Sequence, residues 1–310
     1  VSSDGMFCQV SRLSPASADL GKRRLMIFSF FLSLLQMFFL MDIIEILEGY
    51  RNYTLHSHTE FCDGRAQMEA FAREAVRRGF RHYGFTPHSP VPIESPCNMA
   101  ASKVPEYLAE VERIRAAYGE SCRFYAGMEV DYLGEDWGPS SPYFSGLPLD
   151  YTIGSVHFIP AQSGELIDID GRFERFARNM ETHFHNDIHY VVETFYRQSM
   201  GMLQAGGFDI LGHFDKIAQN GSLYHPGLED EAWYKALVNE YIDAIIASGI
   251  VVEVNTKAYA EHKRFFPGER YFARLKSAGV PVVVNSDVHV PALMDASRVD
   301  AFSLLDNISA

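Results

Sequence analysis

Basic residues are scarce in this sequence. Lys and Arg number 27 against 40 Asp and Glu, which leaves a formal net charge of −13. A duplex-binding domain carries a basic patch, and none is visible, so nucleic acid is not expected as the substrate. Cysteine is scarce too. Cys8, Cys62, Cys97 and Cys122 form no C-x-x-C pair and no disulfide framework, which fits a reducing compartment. Repeats, low-complexity tracts and an interdomain linker are missing as well. What remains is a chain of 310 residues, 47% apolar, long enough to bury a large core. Its acidity does not exclude a phosphorylated substrate, because bound cations invert the local charge.

One long hydrophobic run stands apart. Lys22, Arg23 and Arg24 precede an uncharged apolar stretch from Leu25 to Met41. It resembles a signal-peptide core or a short anchor, but it is shorter than the ~20 residues of a typical span, and no small-residue cleavage site follows. The sequence begins with Val, and Met41 opens MDIIEILEGYRNYTLHSH. We therefore expect translation from Met41, residues 1–40 as an extension, and residues 41–310 as a single cytoplasmic domain. Membrane attachment follows only if residues 25–41 are a real anchor.

From Tyr53 onward the pattern alternates between strand and helix. Short apolar strands are predicted at Arg81–Thr86, Arg123–Val130, Tyr151–Phe158, Phe208–Gly212, Ile250–Asn255 and Val280–Asn285. Helical patterns fall between them at Gln67–Arg78, Val104–Tyr118, Ile188–Gln204, Glu231–Ala247 and Glu269–Ser277, several closed by a Gly stop. Such alternation predicts a parallel sheet with helical cover, either a barrel or doubly wound.

The chemistry sits at the strand ends. His56 and His58 are two apart, which in extended chain points both imidazoles to one face, where they can share a metal ion. Asp63, before the Gly64 turn, can supply an oxygen ligand. His88 lies in a Pro-bracketed loop after an apolar strand. Glu129 and Asp131 end the next strand, and spacing does not choose between them. His157, then His213 with Asp215 and Lys216, then Asp287 with His289, follow further strands. Each signal is weak alone, since an isolated H-x-H is more often a polar loop start. Together they are strong, because a parallel barrel gathers its strand ends on one rim. So many ligand types exceed the needs of one ion, so two or three divalent ions (Zn, Mn or Fe) are implied. His183, His185 and His189 cluster at a helix start away from any strand end, and we read them, like His82, His225 and His262, as surface or loop.

In this order, H-x-H, D-G, T-P-H-S-P, G-M-E-V, G-S-V-H-F, G-H-F-D-K and S-D-V-H, the chain from Asn52 to Pro291 resembles the polymerase-and-histidinol-phosphatase (PHP) superfamily, in its histidinol-phosphatase branch. The resemblance implies a distorted (β/α)7 TIM-like barrel with a trinuclear metal centre. It implies one ion on His56, His58, Glu129 and Asp287, a second shared by Glu129 with His157 and His213, and a third on Asp63, His88 and His289. Some relatives have His where Asp63 stands. The implied reaction is hydrolysis of L-histidinol phosphate in histidine biosynthesis, by in-line attack of a metal-bridging hydroxide; the alternative is another small phosphate ester, a nucleotide or phosphotyrosine. For the phosphate clamp the candidates are Lys216, Arg197, Lys257 and Arg264. Asp215 is the candidate proton donor to the leaving group, and Glu60, Asp215 and Glu253 are candidates for an acidic wall facing the substrate's cationic end.

Overall fold

Strands too short to be stable alone close on one another here. The computed structural model describes residues 43–308, so the expectations for residues 1–40 and for an anchor at 25–41 lie outside it. Strands β1 (Tyr53–Thr54), β2 (His82–Phe85), β3 (Arg123–Asp131), β4 (Tyr151–Ser155), β7 (Ile210–Leu211), β8 (Val251–Asn255) and β9 (Val282–Asn285) pair in that order, all parallel. The ends of this sheet meet just beyond β1 and β9, where Ser57 bridges to Val288 and the His58 N–H donates to Val288 O at 2.8 Å. The result is the nearly closed seven-stranded barrel expected from the resemblance. β4 and β8 are buried along their whole length, as strands covered on both faces must be.

The helices cover the outside by periodic burial. In α1 (Met68–Arg78), Met68, Phe71, Ala72 and Ala75 form one inward stripe, and Gly79 at φ 74° turns the chain back after it. α2 (Val104–Tyr118) buries Tyr107, Val111 and Ile114 beside Phe85 and Phe124. On the far side, α4 (Ile188–Ala205) and α6 (Ala232–Ser248) pack Phe195, Tyr241 and Ile242 against Leu211 and Val252. Each such buried side chain contributes about 1.5–3 kcal/mol. Inside the barrel, Tyr151 fills the level just below the rim, its hydroxyl donating to Leu55 O at 2.6 Å. Gly127 makes room for it, since a Cβ there would sit 2.7 Å from the tyrosine ring.

Two features depart from the sequence expectations. The strand expected over Tyr151–Phe158 breaks after Ser155, and its end becomes β5 (Phe158–Pro160) of a separate antiparallel hairpin with β6 (Leu166–Asp168). His157 occupies the break. Three helices, α3 (Phe173–His183), α5 (Ile217–Tyr224) and α8 (Arg298–Asn307), have no counterpart among those expectations, whereas the expected Glu269–Ser277 helix is α7 (Phe272–Ser277). α8 is docked by Arg298, which is buried, donates to Val284 O and Arg51 O, and lies 5.2 Å from the Tyr53 ring. None of the helices among the described residues is long and apolar enough to cross a membrane.

Candidate metal centre

The strand ends converge as the alternation of residues predicts. Past β1, His56 and His58 both turn into the barrel mouth, their Nε2 atoms 3.1 Å apart. Past β2, His88 pairs with the Glu129 backbone of β3, which brings its Nδ1 to 3.0 Å from Glu129 Oε2. Glu129 is the centre of the group. Its Oε1 lies 2.9 Å from His213 Nε2, 3.5 Å from His157 Nε2 and accepts from Ser155 Oγ at 2.7 Å. Its Oε2 lies 3.3 Å from His56 and 3.5 Å from His58. Past β9, Asp287 Oδ1 is 3.1 Å from His58 Nε2, and His289 Nε2 is 3.2 Å from Asp63 Oδ1. All nine residues named from the sequence thus meet in one place.

The donor atoms of eight of them fall into three groups, each tight enough for one ion: His58, Asp63, His88 and His289; His56, His58 and Asp287; and His88, Glu129 and His157; His213 joins through its 2.9 Å contact with Glu129. The polar atoms left over fit the same conclusion. Asp63 Oδ1, His88 Nδ1 and Glu129 Oε2 are buried without a hydrogen-bond partner among the described residues. Buried polar atoms of that kind are costly unless something else satisfies them, and a divalent cation between them would.

Behind the ligands stand carboxylates that orient them. His56 Nδ1–H donates to Glu253 Oε1 at 2.6 Å, and His157 Nδ1–H donates to Asp131 Oδ1 at 2.7 Å. Both rings therefore present a bare Nε2 towards Glu129 when neutral. This answers the Glu129–Asp131 ambiguity: Asp131 supports an imidazole from behind while Glu129 faces the centre. Burial alone would depress the His56 imidazolium, but Glu253, then Glu129 and Asp287, outweigh it and hold its pKa well above the usual value. His58 goes the other way, driven well down by burial and then by the neighbouring His289 and His88. Burial would raise Glu129, yet His56, His88 and His157 around it keep it well below the usual carboxylate range. An ionised carboxylate ringed by imidazoles is chemistry ready for cations.

The cleft above this centre is lined by Lys216, Lys257, Arg175, Asp168, Asp170, Asn98, Cys97 and Phe158 among others. Burial opposes the charge on Lys216, but Asp170, 3.4 Å away, more than compensates and raises its pKa. Two of the clamp candidates are misplaced. Arg197 is exposed on α4 and donates to Thr194, and Arg264 is held in a bidentate pair with Glu229 at 2.7 and 2.8 Å. Asp215 is also misplaced as proton donor. It is fully buried, accepts from the Gly268 N–H and faces Arg264 rather than the cleft. Burial pushes its pKa up to about 6, with Arg264 acting against that. Glu60 is exposed outside the cleft, and Glu253 lies behind His56, so neither forms an acidic wall. The cluster of His183, His185 and His189 lies where α3 ends and α4 begins, away from the centre.

Asp168, Asp170 and Arg175 were missed. Arg175 pairs with Asp168. The run Leu166-Ile-Asp168-Ile-Asp170-Gly171 carries the same two-residue alternation as His56 and His58, and would have exposed both carboxylates.

Comparison with known proteins agrees with this fold. The pattern of the PHP domain matches residues 54–257. The histidinol-phosphatase of Bacillus subtilis is 25% identical over 258 residues, 76% of this chain and 92% of its own. Two solved structures share the fold. The hisK protein of Listeria monocytogenes superposes with a TM-score of 0.71 at 19% identity, covering 80% of this chain and 99% of that one. The histidinol phosphate phosphatase of Lactococcus lactis, solved with zinc, L-histidinol and phosphate, gives 0.62 at 17% identity, covering 83% of this chain and 94% of that one.

Proposed function

This chain belongs to the PHP domain family, and from that premise we propose that it is a metal-dependent phosphatase acting on L-histidinol phosphate in histidine biosynthesis. The observation that carries the reading is the juxtaposition of two features. Buried, unpartnered ligand atoms on Asp63, His88 and Glu129 form the floor of a cleft, and three cations, Lys216, Lys257 and Arg175, line it. That pairing suits a phosphate ester. The histidinol end of the substrate comes from the relatives, which are named for it.

Within the centre, His56, His58, Glu129 and Asp287, then Glu129, His157 and His213, then Asp63, His88 and His289 would hold the ions. Bound divalent ions supply a nucleophile at neutral pH, by lowering the pKa of water towards about 7, and charge to offset that developing on phosphorus oxygens. Glu253 and Asp131 fix the ring orientations of His56 and His157. Arg175 and Lys216 grip the phosphate, exchanging their present partners Asp168 and Asp170 for it. The two freed carboxylates are then available to the cationic aminoalkyl-imidazole end. Residues 41–310 form the catalytic domain in this reading, and a cytoplasmic location goes with it.

The test is phosphate release by metal-replete protein from L-histidinol phosphate, a nucleotide and a phosphotyrosine peptide, with Glu129→Gln as control. Strong preference for histidinol phosphate, lost in the variant, is expected. Turnover of another ester instead would keep a phosphatase and discard this substrate. No turnover of any ester with metals bound would overturn the reading.

A further inference from the structure

Lys257 sits where a metal would compete with it. Its Nζ is 3.2 Å from Asp287 Oδ1 and 3.3 Å from His289 Nε2. The His289 ring is oriented by Asp287 O, 3.0 Å from Nδ1. A carbonyl can only accept, so Nδ1 carries the hydrogen and Nε2 presents its lone pair. That lone pair points both at the ammonium and at the space shared with Asp63 Oδ1, 3.2 Å away. One lone pair serves an N–H donor or a metal ion, but not both.

The ammonium covers this position incompletely. It reaches Asp287 and His289, while Asp63 Oδ1 and His88 Nδ1 stay buried without a partner. It is also free to leave. The Lys257 side chain is 41% exposed, and its backbone is held separately, the N–H donating to Asn255 Oδ1 at 3.0 Å. Exchange therefore needs a side-chain rotation and no movement of β8.

We propose that Lys257 is a built-in cation that competes with the divalent ion of Asp63, His88 and His289, so that this third ion binds only by displacing the lysine. The inference rests on the metal-centre reading but not on the identity of the substrate. The carboxylate of Asp287, shared with the first ion, has lone pairs for an ammonium and an ion together, whereas His289 Nε2 has one, so the third ion is the weakest of the set. Its binding sends a displaced ammonium into the cleft that Lys216 and Arg175 line.

The test is a metal titration of the full chain, stripped with chelator, against Zn²⁺ and then Mn²⁺, using a competing chromophoric chelator and elemental analysis for stoichiometry. No phosphate ester is present, so the outcome is independent of which ester the enzyme cleaves. Lys257→Met is expected to tighten the weakest ion about tenfold or more, because a unit charge within a few ångströms of the ion is removed. Lys257→Gln, equally uncharged, gives the same gain and serves if the Met variant does not fold. In an Asp63→Ala background the weakest ion is lost and Lys257→Met changes nothing further. A weakest-ion affinity that stays within about twofold in both lysine variants, the scatter expected of uncoupled positions, overturns the proposal. So does a gain that persists in the Asp63→Ala background.

Discussion

Replacing Glu253 by Gln should disable the centre without touching a proposed ligand. Glu253 is fully buried, and every neighbour within hydrogen-bond reach is a donor. Oε1 accepts from His56 Nδ1 at 2.6 Å and from Asn285 Nδ2 at 3.0 Å; Oε2 accepts from the His213 N–H at 3.1 Å and from Asn255 Nδ2 at 3.2 Å. A glutamine must turn its NH₂ towards one of these pairs. Two donors then face two donors, and either His56 or the His213 backbone loses its acceptor. Breaking a buried charged contact of this kind costs about 3–5 kcal/mol. For a domain of this size that is a fall in Tm of roughly 6–20 °C, at about 2–4 °C per kcal/mol. The same loss of ring orientation should weaken metal binding about 10–100-fold. The assays are calorimetric melting of the metal-free protein and chelator competition for the bound ions. Metal affinity and Tm both unchanged in Glu253→Gln would refute the view that Glu253 orients His56 from behind.

Other outcomes follow from single contacts. Asp209 is buried, and burial lifts its pKa from 3.8 to about 6, against the hydrogen bond from the Thr152 N–H. Its folded value is raised, so the stability tied to the protonated form is complete below the unfolded pKa and lost as pH rises through about 6. Melting curves should show Asp209→Asn gaining about 3 kcal/mol on the wild type between pH 4 and pH 7; parallel pH profiles of the two proteins would rule this out. Gly127→Ala drives a methyl group against the Tyr151 ring and Thr86, and should cost about 1–3 kcal/mol in denaturant titrations. In steady-state kinetics Arg175→Ala should lower kcat/KM roughly 10–150-fold, the worth of about 1.5–3 kcal/mol for a hydrogen bond to a charged group. Arg197→Ala, exposed on α4, should leave kcat/KM within about twofold, and a large loss there would return Arg197 to the site.

The residues at the centre were legible because their signal is local. An apolar strand ending in His or a carboxylate, repeated six times, names His56, His58, His88, the Glu129–Asp131 pair, His157, His213, Asp287 and His289, and the barrel rim follows from strand–helix alternation. Two-residue spacing gives a shared face whatever lies across from it. The remaining decisions depend on neighbours far apart in the chain. Glu253 reads as one charge in an apolar strand, and only the closed barrel, in which β8 lies beside β7 and β9 meets the chain past β1, puts it behind His56 and His213. Arg197 and Arg264 look like clamps until Thr194 and Glu229 claim them, and Asp215, two residues from His213, faces away because Gly268 and Arg264 hold it. Cations and carboxylates are interchangeable along a sequence. Their roles are fixed by which opposite charge or donor lies within about 3 Å, and only the folded chain sets that distance.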